Sequence, residues 1–247
     1  MKTEIDLAVD ALKKSKNTIA FTGAGVSVES GIPTFRGETG IWNKYDPNIL
    51  LYQNYITNPE RSWGTIKEIF YDFFGKAKPN AAHNALAKME NAQKLSCIIT
   101  QNIDNLHQEA GSVNILEYHG NSHYFVCLSC LKKSKLSEYK LTNQVPKCKY
   151  CKTGVLKPDF VFFGEQIPTD VHKKSIEAAN SCDVMLVIGT TGEVFPAAEI
   201  PSIAKSKGAL IIEINPESSL YTHKTTDIFL RQKAGDAMGK IKTILNL

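Results

Sequence analysis

The sequence holds no uninterrupted apolar run near the roughly 18 residues that a membrane span requires, so no membrane partner is expected. It has no run of five like charges and a formal net charge of only +4. A dedicated nucleic-acid binder carries more positive charge, so direct nucleic-acid binding is not expected either. The first 16 residues carry Glu4, Asp6 and Asp10 among apolar residues at helical spacing, which excludes a signal peptide and makes the cytosol the expected compartment. No internal repeat or low-complexity tract occurs. One further absence concerns the glycine-containing stretch Phe21 to Arg36, FTGAGVSVESGIPTFR. After Gly23 and Gly25, the dinucleotide fingerprint needs its third glycine where Val28 stands. The acid that should follow about 20 residues on, at the end of the next strand, has no candidate, because 37–47 does not read as a strand.

The 247 residues fit one large domain, or one with an inserted module. A hydrophobic content of 43% is ample for a core. Thr18 to Thr22 reads as a buried strand after a helix over 4–16. A strand that runs into small residues and glycines and then opens a helix directs unpaired N–H groups at one spot, which suits a pyrophosphate. The stretch is either a nucleotide-binding loop or a structural turn. The aromatic-rich segment 37–80 reads as an inserted helical module, with a helix starting at Asn58-Pro59. Over 62–74, Trp63, Ile66, Ile69, Phe70 and Phe73 should share one packed face.

Further apolar strands are expected at 95–100, 115–118, 184–188 and 210–214, with helices between them and one at 236–245. Ala197 to Lys205 reads as a helix kinked at Pro201. Continuous apolar strands alternating with helices predict an α/β fold, a parallel sheet covered by helices on both faces. Four strands end in small or polar residues, at 23–25, 101–104, 189–191 and 215–217. Together they describe one ligand crevice along the carboxyl edge of the sheet. His119 also follows a strand, which raises its weight above that of a lone structural histidine.

The strongest local signal is Cys127-x-x-Cys130, seventeen residues, then Cys148-x-x-Cys151. This is the spacing of a four-cysteine tetrahedral zinc site, which has no open position and is therefore structural. The intervening segment is lysine-rich and short of large apolar residues, so a metal would organise it. Two disulfides or free thiols are the alternatives, and a cytosolic setting disfavours the first. Cys97 and Cys182 lie in or beside apolar strands and read as buried bystanders.

The combination GAGVSVESGIPTFRG, TQNIDNLH, YHG, two CxxC pairs, FFGE and VIGTTGEVFPAAEIP resembles the sirtuin family of NAD-dependent protein lysine deacylases, over nearly the whole chain and in the family's order. The resemblance implies a Rossmann-like NAD-binding part over about 1–36, 81–122 and 157–247. A small lobe is implied from the helical module (about 37–80) and the zinc module (about 123–156). It implies one structural Zn2+, NAD as co-substrate, and acylated lysine side chains bound as an extended peptide. The acyl group passes to ADP-ribose, releasing nicotinamide and O-acyl-ADP-ribose. A protein ADP-ribosyltransferase or a non-catalytic NAD sensor is the alternative.

By the same resemblance, Ile103 and Asp104 hold the nicotinamide amide and Phe35 shields the reacting sugar from water. Asn102 and Ser27 hydrogen-bond the ribose and its surroundings, and Gln101 binds the ribose next to the base. His119 is the general base acting on the ribose hydroxyls, a role that suits imidazole because its unperturbed pKa, about 6.5, lies near working pH. Gly23, Ala24, Gly25 and Arg36 line the phosphates, and Gly189, Thr190 and Thr191 the adjoining ribose or phosphate. Asn215 and Glu217 meet the adenosine ribose, and Ala234 the adenine. The peptide is expected as an added strand between Val161–Glu165 and Gly192–Phe195, against Val161, Phe163, Gly164, Glu193 and Val194. Glu193 stands where many relatives carry an apolar residue and could favour a basic substrate peptide.

Some sirtuins that remove succinyl or malonyl groups carry Tyr-x-x-Arg after a Trp, and aligning on Trp63 puts Ile66-x-x-Ile69 there. With no guanidinium fork for an acyl carboxylate, an apolar wall of Ile66 and Ile69 is expected. Each methylene buried against it gains up to about 0.8 kcal/mol. Acetyl-lysine and longer fatty acyl-lysine are therefore the expected substrates, not succinyl-lysine.

Overall fold

A computed structural model of the chain describes residues 2–38 and 40–247. Among the described residues, nine strands are β1 Thr18–Thr22, β2 Cys97–Thr100, β3 Ile115–Glu117, β4 Gly120–Cys127, β5 Lys133–Lys135, β6 Leu156–Phe160, β7 Val184–Ile188, β8 Leu210–Ile214 and β9 Ile228–Leu230. Eight α-helices among them are α1 Glu4–Lys14, α2 Tyr52–Thr57, α3 Pro59–Ile66, α4 Ala81–Asn91, α5 Leu106–Glu109, α6 Thr169–Ser181, α7 Ile200–Ser206 and α8 Ala234–Ile244. Six strands form one wholly parallel sheet in the order β3-β2-β1-β7-β8-β9. β5, β4 and β6 form a second, antiparallel sheet.

The period of two in a strand explains why the central strands carry apolar residues on both faces. Ala20, Ile98, Leu186 and Ile212 face α1, α4 and α8. Their neighbours Ile19, Phe21, Ile99, Met185, Val187 and Ile211 face α6 and α7. Both faces are covered, which is the expected Rossmann-like arrangement. α1 has a capping box, Thr3 against Asp6, and ends at Lys14 because the chain turns there to bring Ser15, Lys16 and Asn17 onto the Asp183 carboxylate. β9 is an edge strand of only three residues, too short to show a pattern in the sequence.

The helical and zinc segments share one core. Tyr55, Trp63, Ile66, Ile69 and Phe70 pack with Phe125, Val145, Leu156, Phe160 and Phe162. Two expectations are corrected here. After α3 the chain is π-helical over Lys67–Phe73. The wider turn shifts the phase of the buried face by one residue. Phe74 is therefore buried, edge-on to Phe70, and Phe73 is 53% exposed. Pro201 does not kink a helix. A short 3-10 turn over Ala197–Glu199 precedes α7, and Pro201 lies in the first turn of α7, where its missing N–H costs nothing.

Candidate active site

The carboxyl ends of β1, β2, β7 and β8 open onto one cleft of about 1240 Å³, closed on the far side by the small lobe. The Gly23–Gly25 turn does not need its glycines for φ, which is not left-handed at either. Its backbone lies against the 189 turn: Gly25 N donates to Gly189 O at 2.8 Å, and a Cβ on Gly25 would stand 2.6 Å from Gly189 Cα. A short 3-10 helix over Ala24–Ser30 follows, so that the loop ends as the start of a helix. Gly23, Ala24, Gly25, Phe35 and Arg36 all line the cleft, as do Gln101, Asn102, Ile103 and His119. So do Gly189, Thr190, Thr191, Asn215, Glu217 and Ala234.

Hydrogen bonds fix this rim. Gln101 Nε2 donates to Thr190 Oγ1 at 3.1 Å, and Asn215 Nδ2 to Thr190 O at 2.9 Å. Asn102 Nδ2 donates to Gly23 O at 3.2 Å and Ser27 Oγ at 3.1 Å, which leaves its Oδ1 as the acceptor. Ser27 has no exposed surface and does not reach the cleft wall. Its hydroxyl instead ties Asn102 to Asp104, donating to Asp104 Oδ2 at 2.7 Å. Leu106 N donates to Asp104 Oδ1 at 3.0 Å. Burial pushes the Asp104 carboxyl above its ordinary range, against these two bonds.

His119 Nδ1 stands 3.0 Å from Gln101 O. A carbonyl oxygen only accepts, so Nδ1 carries the proton and Nε2 is left with its lone pair. Burial lowers the pKa of the ring below 6.5, against the smaller opposing effect of the Gln101 carbonyl. The imidazole is thus neutral and basic at neutral pH.

Several residues escape a sequence reading. His83 and His107 are both buried behind the loop, 4.8 Å apart ring to ring. Asn80 N donates to His83 Nδ1, so His83 Nε2 faces Ser27 Oγ at 3.5 Å as the donor. Burial alone brings His83 down to about 4, and burial, reinforced by the neighbouring His83, holds His107 well below its usual value, so both are neutral. Glu29 Oε2 accepts from Gly235 N at 2.6 Å, capping α8 beside Ala234. Lys157, 5% exposed, donates to Glu165 Oε2 at 2.9 Å, Pro158 O at 2.9 Å and Phe160 O at 2.8 Å, with its ammonium 4.3 Å from the Phe162 ring centre. The two histidines stood on otherwise apolar helix faces, and that was their only signal.

Val161, Phe163, Gly164, Glu193 and Val194 line the other arm of the cleft. Phe163 is already bonded to Leu50 and Tyr52 through its N–H and C=O, and Val161 N to His119 O. Phe162 N and O are both taken by Glu165. The backbone left for an added strand on this side centres on Gly164, narrower than the expected 161–165. The acyl wall is corrected. Ile66 and Ile69 are buried in the lobe core, at 0% and 1% exposure, and neither lines the cleft. Trp42, Leu50 and Phe70 line it instead, because α3 and the π-helical turn present their isoleucines inward.

The four zinc-motif sulfurs lie within 4.8 Å of one another, with Cys127–Cys151 at 3.6 Å and Cys130–Cys148 at 3.7 Å. These separations are far too long for S–S bonds. They match the edge, about 3.8 Å, of a tetrahedron with Zn–S bonds of about 2.3 Å. Backbone N–H groups of Cys130 and Gly154 point at Cys127 Sγ and Cys151 Sγ, as thiolate ligands require. The four-thiolate donor set fits a structural zinc, whose tetrahedral shell these ligands fill.

The model of the Sir2 family matches residues 23–196. An NAD-dependent protein deacylase of Pyrococcus abyssi is 44% identical, over 93% of each chain. Among solved structures, a Sir2 homologue in complex with NAD superposes with a TM-score of 0.90 at 39% identity, covering 98% of this chain and 93% of that one. A Sir2 mutant with a deacetylated p53 peptide and 3′-O-acetyl-ADP-ribose gives 0.90 at 32% identity, covering 98% of each. With its family model matched over most of its length and its relatives matched nearly end to end, this chain belongs to the Sir2 family.

Proposed function

We propose that the protein is an NAD-dependent protein lysine deacylase in which His119 is the general base. The observation that carries the reading is the His119–Gln101 contact. It leaves a neutral imidazole nitrogen free in a cleft wide enough for a dinucleotide and an acyl-lysine together. NAD, when bound, supplies the ribose carbon that accepts the acyl oxygen as nicotinamide leaves.

The chain's own groups divide the work. The Gly23–Gly25 and 189–191 turns admit phosphates to within backbone distance, and Arg36 and Lys233 are exposed cations of the same cleft. Asn102 Oδ1 accepts from a ribose hydroxyl, its orientation set by Ser27 and Gly23. Phe35, 5.5 Å from Trp42 ring to ring, excludes water from the reacting face. Ile103 at the cleft wall and Asp104, which stands just behind it tied to Ser27 and Leu106, hold the nicotinamide amide. Asn215 and Glu217 take the far ribose, with Glu217 held by Arg231.

The peptide extends past Gly164 and Glu193–Phe195, and the acyl chain runs toward Trp42, Leu50 and Phe70. This apolar end carries no fork for a carboxylate, so acetyl and longer fatty chains fit better than succinyl. Glu193 and Glu199 line the peptide arm with no cation in ion-pair range among the described residues, which favours a basic residue next to the acyl-lysine. A reducing compartment such as the cytosol suits the free thiols of Cys97 and Cys182.

The test is incubation with acetyl- and myristoyl-lysine peptides, with and without NAD, following peptide and nucleotide by mass spectrometry. NAD-dependent loss of the acyl group with O-acyl-ADP-ribose is the expected result. NAD consumed with labelled protein and no acyl loss would instead mean ADP-ribosyl transfer. No NAD consumption would leave a sensor.

A further inference from the structure

The whole-chain charge of +4 conceals a segregation. Residues 123–156 contain seven lysines, one glutamate, and no arginine or aspartate, a net of +6. The remainder of the chain is therefore at −2. Even after the −2 of a zinc tetrathiolate, the small segment keeps a strong positive excess. All seven lysines are exposed. Among the described residues, only Lys133 and Lys149 have a carboxylate in ion-pair range, Asp159 and Glu138.

The lysines are not scattered. The zinc ligands bring the two CxxC turns together, and with them Lys132 from beyond the first and Lys149 and Tyr150 from within the second. The ammonium groups of Lys132 and Lys149 lie 4.9 and 5.2 Å from the Tyr150 ring centre. Lys147 is placed alongside by its bridge to Val155, and Lys152 follows the last zinc ligand. Tyr150 is 47% exposed and Leu131, on the neighbouring turn, 76%. None of these residues lines the cleft. A half-exposed aromatic ring with two mobile ammonium groups about 5 Å from its centre sits within a band of positive charge, and an aromatic ring interleaved with cations is the combination that single-stranded nucleic acid binds.

We propose that the tip of the zinc-binding lobe, Leu131, Lys132, Lys147, Lys149, Tyr150 and Lys152, is a docking surface for single-stranded nucleic acid, with a base stacked on Tyr150 and phosphates between the lysines. It lies apart from the catalytic cleft and does not depend on the acyl group removed there. Such a surface would hold the enzyme near basic, nucleic-acid-bound proteins, whose lysine-rich segments suit the Glu193 and Glu199 arm of the cleft.

The test uses the full zinc-loaded chain and a fluorescent oligothymidylate of about 20 nucleotides, titrated at 50 and 200 mM salt. With about four lysine–phosphate contacts, the affinity should fall about fiftyfold between these conditions. Lys132→Glu/Lys147→Glu/Lys152→Glu should weaken binding at least tenfold. Tyr150→Ala should weaken it about tenfold and Tyr150→Phe hardly at all. Zinc content and deacylation of a short peptide should be unchanged in all three variants, which separates lost docking from lost folding. The proposal is overturned by no binding at 50 mM salt, or by a triple variant that binds like the parent. It is equally overturned if polyglutamate of matched charge competes as well as the oligonucleotide, which would make the partner an acidic protein. Equal binding of duplex with no effect of Tyr150→Ala would remove the stacking assignment and overturn it as well.

Discussion

Gly25 and Gly189 interlock backbone to backbone. The Gly25 amide donates to the Gly189 carbonyl at 2.8 Å, and a Cβ on Gly189 would lie 2.3 Å from Val26 N, with φ at +63°. Neither obstacle is a flexible side chain, so neither can move aside. Gly189→Ala should lower stability by about 2–4 kcal/mol, from overpacking and left-handed strain together. It should also abolish measurable NAD binding. Gly208→Ala, at φ +93° but with nothing within 4 Å of its Cβ, should cost only the strain, about 1 kcal/mol. Thermal unfolding and calorimetric NAD titration of both variants check this; equal losses would refute the interlock.

His119 must be neutral to act as a base, and burial lowers its pKa below 6.5. The sign follows directly. kcat/KM should be flat above pH 6.5 and fall as pH drops through a value below it. His119→Ala should lower kcat by about 10² to 10⁴ while NAD still binds. A pH–rate profile with its acidic limb centred above 6.5 would contradict the lowering of the ring's pKa by burial.

The parallel sheet was legible because β1, β7 and β8 are apolar on both faces, and buried parallel strands read that way. The cleft was legible for the same reason: polar residues stand directly after those strands. What stayed hidden depends on phase and on distant partners. A single π-helical turn rotated Phe73 outward and Phe74 inward, and no periodicity in the sequence marks such a turn. Ile66 and Ile69 were placed by analogy on the acyl wall, yet the shared core claims them. The Ser27–Asn102–Asp104 tie joins two segments, with Ser27 75 and 77 residues from its partners, and only the folded chain shows that Ser27 positions the others instead of facing ligand.

Buried Lys157 and partly buried Glu165 form an ion pair under the segment proposed to receive the peptide. Burial lowers the Lys157 pKa, and the Glu165 charge opposes that fall. Lys157→Met would leave a carboxylate uncompensated at a cost of about 3–5 kcal/mol. Because Glu165 also holds Phe162 N, KM for peptide should rise more than KM for NAD. The double variant Lys157→Met/Glu165→Gln should regain most of the stability. If the double variant is no more stable than Lys157→Met, the pair is not what holds the segment.

The zinc cluster joins β4, through Cys127, to the turn that carries Cys148 and Cys151, over a core shared with the helical segment. Apparent binding energies of about 10–16 kcal/mol for structural zinc exceed the usual margin of a whole domain. Purified protein should carry one zinc per chain. Cys148→Ser should lose it, unfold the small lobe and end deacylation. The parallel sheet should keep its slow amide hydrogen exchange, since β1, β2, β7 and β8 draw nothing from that lobe's core. Uniform loss of protection would show that the two cores fold as one.

Phe70 lies where an acyl chain would end, 6.4 Å from Phe35 and 5.0 Å from Phe160, ring to ring. A long chain gains up to about 0.8 kcal/mol for each methylene it buries there, and an acetyl group ends before reaching the wall. Phe70→Ala should therefore reduce kcat/KM for myristoyl-lysine about tenfold and for acetyl-lysine less than threefold. A succinyl carboxylate would be desolvated against Trp42, Leu50 and Phe70 with no fork to pair it, so its kcat/KM should stay below about a tenth of the acetyl value. Leu50→Arg should narrow that gap by supplying a guanidinium at the wall. Competing the three acyl-peptides in one mixture, read by mass spectrometry, gives all the ratios at once. A parent enzyme that prefers succinyl, or a Phe70→Ala variant that loses acetyl and myristoyl activity equally, would move the acyl chain to another wall of the cleft.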